Sequence, residues 1–84
     1  MNQSAKRFCE TMLTYVVDNN WHSIDKDNRF LPEKYAVLIG LSFSAVIKTE
    51  YTSRPVPGEI CRVPIVPDTD KQSLIKAFMA EMEK

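Results

Sequence analysis

Apolar residues recur along this chain with two different periods. Over residues 4–19, Phe8, Met12 and Val16 return every four positions, and Leu13 and Tyr15 widen the stripe. That spacing predicts an amphipathic helix, capped by Ser4 and stopped at Asn19-Asn20. Near the other end, Leu74, Ile75, Phe78, Met79 and Met82 mark one helical face. They predict a helix over 70–83, opened by a capping box of Thr69 and Gln72. Trp21–Ile24 is short and β-prone, and Asp25-Lys26-Asp27-Asn28 is a turn cluster. Four of the five prolines fall between Arg54 and Pro67, which excludes a helix there. Val56-Pro57-Gly58-Glu59 fits a type II turn, with Pro at i+1 and Gly at i+2. Glu59–Val66 follows as a β-prone run that Pro64 confines to a sheet edge.

The middle admits two readings. Pro32 suits the first turn of a helix that would run to Ile39 and end at Gly40. Ser42 would then cap a second helix reaching Tyr51. Yet Leu41, Phe43, Ala45 and Ile47 alternate among β-branched and aromatic neighbours, which equally describes a strand with one buried face.

On the first reading, Ala36, Gly40, Leu41, Ser42 and Val46 are spaced for a tight helix–turn–helix. Ala36 allows close helix approach, Gly40 makes the turn, and Val46 anchors the second helix. The pattern covers about twenty residues. It resembles the helix-turn-helix family of DNA-binding regulators, and the order of elements resembles its small winged members, such as excisionases and phage or plasmid regulators. The resemblance implies an α+β, winged-helix-like single domain over residues 1–84, ordered helix–strand–helix–helix–β-hairpin–helix. It implies double-stranded DNA as partner and transcription regulation as the role. Ser42, Ser44 and Lys48 would face the major groove, Lys34 would meet a phosphate, and Arg54 and Arg62 would reach the flanking backbone or minor groove.

Charge limits this picture. Eleven basic and eleven acidic residues cancel. Residues 29–62 are mildly basic, with Arg29, Lys34, Lys48, Arg54 and Arg62 against Glu33, Glu50 and Glu59. So few cations predict weak DNA binding by one copy and favour a homodimer on a two-fold site. The segment Phe43–Lys48 also lacks the Arg, Asn and Gln that read base edges. The alternative is a protein-interaction module, an accessory factor or inhibitor from a mobile element. It would dock a partner chain through an apolar surface or the edge of the β segment.

Catalysis is not expected. His22 is the only histidine, and it has no Cys-x-x-Cys motif or second histidine beside it. Cys9 and Cys61 read as small buried hydrophobes rather than nucleophiles. Asp25, Asp27 and Asn28 lack the glycine and closing glutamate of a calcium loop. No cofactor or metal is expected. The first residues do not form a signal peptide, and no apolar run approaches the ~18 residues of a membrane span. A cytoplasmic location with no membrane partner is the expectation.

Overall fold

The computed structural model describes residues 2–24, 33–66 and 68–84. Its elements are helix α1 (Gln3–Asn20), a 3₁₀ turn (Trp21–Ser23), strands β1 (Lys34–Leu41), β2 (Ser44–Glu50) and β3 (Glu59–Ile65), and helix α2 (Lys71–Met82). The three strands form one antiparallel sheet in the order β2-β1-β3. Two helices on a three-stranded antiparallel sheet make a small α+β fold.

Both helices form where their periodicity placed them, with different details. Asn2, not Ser4, caps α1: its side chain accepts from the Ala5 amide at 2.8 Å. The buried face of α1 is Leu13, Val16 and Val17, with Met12 packed against it, while Phe8 is left exposed. Asp70 caps α2 by accepting from the Ser73 amide at 2.7 Å. The Thr69 hydroxyl turns the other way and accepts from Val66 N–H, fastening the preceding turn instead of the helix. Leu74, Ile75, Phe78 and Met79 are buried as the spacing required. Trp21–Ser23 is a 3₁₀ turn and not a strand.

The middle of the chain corrects the helical reading. The expected helices over 32–39 and 42–51 are replaced by β1 and β2 across 34–41 and 44–50. The winged order helix–strand–helix–helix–β-hairpin–helix is therefore not the observed one. The physical reason lies in Val37, Ile39, Val46, Ile47 and Thr49. Their branched Cβ atoms lose freedom on a helix and pack well on a pleated sheet. Gly40 is not the turn; it lies within β1, opposite Ala45. The chain reverses at Ser42-Phe43. Pro32 and the 25–28 turn cluster lie outside the described residues.

β1 is the central strand, and both of its faces are covered. Ala36 and Leu38 point to the helices and join Leu13, Val16, Val17, Ile47, Val63, Leu74 and Phe78 in the core. Val37 and Ile39 point the opposite way, yet Val37 is wholly buried and Ile39 nearly so. On this face Arg62 holds the Thr52 and Arg54 carbonyls of the 51–58 connection. Gly58, at φ +80°, closes the type II turn expected over 56–59, with Glu59 N–H donating to the Val56 carbonyl at 3.1 Å. A Cβ on Gly58 would meet the Gly40 carbonyl oxygen at 3.0 Å and Ile39 Cγ2 at 3.2 Å, so only glycine lets the turn rest on the sheet.

Candidate functional site

The register separates the six residues expected to contact DNA. Val37 pairs with Lys48 on one side and Arg62 on the other, so both cations lie on the outer face. Lys34 is two residues before Ala36 and shares its helix-side face. It is only 6% exposed, with its ammonium 5.3 Å from the Tyr51 ring centroid. Ser42 is exposed in the hairpin turn, and the Ser44 hydroxyl is committed to the Leu41 carbonyl at 2.8 Å. Lys48 pairs with Glu50 at 3.4 Å. The exposed loop residue Arg54 presents its carbonyl to Arg62. The geometry thus brings Lys48, Arg62 and the Arg54 backbone to one face and leaves Lys34 on the other.

Arg62 is a structural clamp. Its Nε and Nη2 donate to the Glu59 carboxylate, Nη1 donates to the Thr52 carbonyl at 2.6 Å, and Nη2 donates to the Arg54 carbonyl at 2.8 Å. Its guanidinium also lies 5.2 Å from the Tyr35 ring centroid. A planar fork with five donors can hold a carboxylate and two carbonyls together, which a lysine cannot do. The pair holds the Glu59 carboxyl below the usual carboxylate range, chiefly through the Arg62 hydrogen bonds. Tyr35 donates to Glu33 at 2.8 Å, and that bond pushes its phenol above the ordinary value. These commitments leave Arg62 poorly placed to meet a phosphate.

The cysteines are half-buried and unbridged. Burial pushes the Cys61 thiol up to about 11, which suppresses thiolate chemistry near neutral pH. Among the described residues, no group of three or more His, Cys, Asp or Glu side chains is placed to hold a metal ion. The shallow depression bordered by Arg7, Glu10, Thr11, Thr14 and Tyr15 comes from a single helix and cannot close around a ligand. Among the described residues, no helix is long and apolar enough to cross a membrane.

The hairpin tip has a different character. Phe43 is fully exposed, with relative accessibility of 111%, and takes φ +66° at the third position of the Leu41–Ser44 turn. That left-handed φ favours glycine or asparagine, and a β-carbon there costs about 1–2 kcal/mol. Leu41 and Ile60 are about half exposed beside it. Ile60 is the extra residue of a β-bulge, because Leu38 pairs with Cys61 while Ile39 pairs with Glu59. Its Cδ1 lies 3.1 Å from where a Gly40 Cβ would stand, so the glycine makes room for it. Leu41 on the outer face and Ile60 on the helix-side face thus flank the end of the sheet from which Phe43 projects. In the sequence Phe43 stood out only as one of the alternating residues Leu41, Phe43, Ala45 and Ile47, which gave no sign of its exposure. Its place at a turn apex followed only from the hairpin register.

Comparison of the chain with family models, curated proteins and solved structures found no match.

Proposed function

We propose that this chain is a non-catalytic protein-interaction module that docks a partner protein through Phe43 at the tip of the β1–β2 hairpin. One observation carries the reading. A fully exposed phenylalanine occupies a positive-φ turn position where Gly or Asn would relieve both strain and apolar exposure. Exposed aromatic side chains are the residue class that anchors protein interfaces, because they bury large area with few rotors to freeze. The DNA-binding regulator reading relied on a recognition helix over 42–51. Residues 44–50 are a strand instead, and Arg62 and Lys48 are already paired with carboxylates.

A photo-reactive phenylalanine analogue at position 43 tests the proposal in native cell extract treated with nuclease. A discrete cross-linked protein is expected at position 43 and not at the exposed control Lys76. The Phe43→Asn variant should fail to compete for that partner. The absence of any protein adduct at position 43 would overturn the reading. So would salt-sensitive binding of duplex DNA that accounts for all association.

A further inference from the structure

The two edges of the sheet are not equivalent. The two-residue turn makes Leu41 and Ser44 the closing hydrogen-bonded pair, and bonding then alternates along the hairpin. On β2, the N–H and C=O groups of Ala45, Ile47 and Thr49 consequently point away from β1. Nothing among the described residues pairs with that side of β2. The strand is seven residues long, with no proline and no bulge. On β3, Pro64 sits where its missing N–H would have pointed outward, and a bulge lies at the other end.

A second feature adjoins the open edge. α1 packs against β2 and α2. Asp18 of α1 reaches α2 by pairing with Lys71 at 3.1 Å. Phe8, Met12 and Tyr15 recur at helical spacing along α1, away from its buried residues Leu13 and Val17. Phe8 is 73% exposed and Tyr15 is 70% exposed.

We infer that β2 pairs antiparallel with β2 of a second copy of this chain, forming a continuous six-stranded sheet across a two-fold axis at Ile47. The outward residues Ala45, Ile47 and Thr49 are symmetric about Ile47, so this register satisfies all of their outward groups. Ile47 faces its own counterpart, Ala45 faces Thr49, Val46 faces Lys48 and Ser44 faces Glu50. No like charges stand directly opposite, whereas an axis at Lys48 would oppose two lysines. The same two-fold sets the two α1 helices, each packed against its own β2, on one face of the joined sheet, with Phe8 and Tyr15 exposed on both. Four aromatic side chains offering about 150–250 Å² each, added to the strand pair, approach the ~1,200 Å² of a specific interface.

This inference is independent of the Phe43 tip. Sedimentation equilibrium of the full chain should show a dimer. Ala45→Pro removes an outward N–H and no bond to β1, so it imitates Pro64 on the other edge. It should raise the dimer dissociation constant roughly tenfold or more, while Phe43→Asn leaves it unchanged. Hydrogen exchange of the wild-type Ile47 amide should be slow in concentrated solution and accelerate on dilution. A monomer at every concentration, with fast Ile47 exchange throughout, would overturn the inference. So would a dimer unaffected by Ala45→Pro. If Ala45→Pro does not fold, the dilution dependence of Ile47 exchange decides alone.

Discussion

Edges β2 and β3 flank the same central strand, yet they solve opposite problems. β3 is closed by its own chemistry. Pro64 offers no outward donor, the bulge at Ile60 breaks its regular edge, and Arg62 ties it to the 51–58 connection. β2 has no proline and no bulge, and its two charges, Lys48 and Glu50, pair with each other. Its side chains are pinned on the helix side by Ile47 and by Thr49, whose hydroxyl donates to the Ser23 carbonyl at 3.0 Å. Among the described residues nothing pairs with its backbone edge. Natural sheets protect exposed edges with proline, bulges and charge. Full protection on one side and little on the other distinguishes an edge that must remain solitary from one that can accept a strand.

The largest expected effect tests how β2 is anchored. Ile47 is the one β2 side chain fully sunk into the core. Ile47→Ala should cost about 2–5 kcal/mol, read as a lower denaturation midpoint in urea. The corresponding truncation on β3, Val63→Ala, removes fewer carbons and should cost less. If the two cost the same, β2 is not held by this one residue. Next comes the clamp. Arg62→Met keeps the length of the aliphatic stem but loses the charged hydrogen bonds to Glu59 and both carbonyls. It should cost about 1–3 kcal/mol. Lys48→Met on the β2 side should stay within about 0.5 kcal/mol, because the Lys48 side chain is about half exposed and makes this one ion pair alone. Equal effects would erase the asymmetry between the edges.

The hairpin tip predicts a smaller change of opposite sign. Phe43→Asn should stabilise the fold by about 0.5–1 kcal/mol, since Asn tolerates the left-handed conformation. Thermal unfolding checks this directly. A destabilised Asn variant would mean that Phe43 packs within the molecule and is not held out for a partner.

The parts legible in the sequence were those in which one short-range signal dominates. The Leu74–Met79 face, the 56–59 turn and the edge position of Pro64 each follow from local chemistry, and all three are observed. β1 hid its identity because both of its faces are covered. Ala36, Val37, Leu38 and Ile39 form an unbroken apolar run with no period-two alternation, and such a run is compatible with a buried helix. Beside Val37 and Ile39 on the outer face, Arg62 ties down a proline-containing connection through bonds to main-chain carbonyls. No side-chain pattern encodes those carbonyls. For the same reason Arg62 read as a free cation for DNA when its guanidinium is already occupied. Spacing found α1 but misjudged its rotation, taking Phe8 as buried and understating Val17, because α2 and β2 together set which flank is covered.

Acid should loosen the closed edge, and this is the smallest effect expected. Glu59 is held below its usual range in the folded chain, so its contribution is fully present above the unfolded value of about 4.3. That contribution is lost as pH falls through the lower folded value. The bonds from Arg62 to the Thr52 and Arg54 carbonyls do not titrate, so only part of the clamp is released. Urea midpoints measured from pH 7 down to pH 3 should therefore fall more steeply for the wild type than for Glu59→Gln, with the two curves converging at the acid end. Parallel curves would show that the Arg62 clamp draws its strength from the carbonyls alone. Closure of β3 would then depend on Pro64 and the backbone, and not on charge.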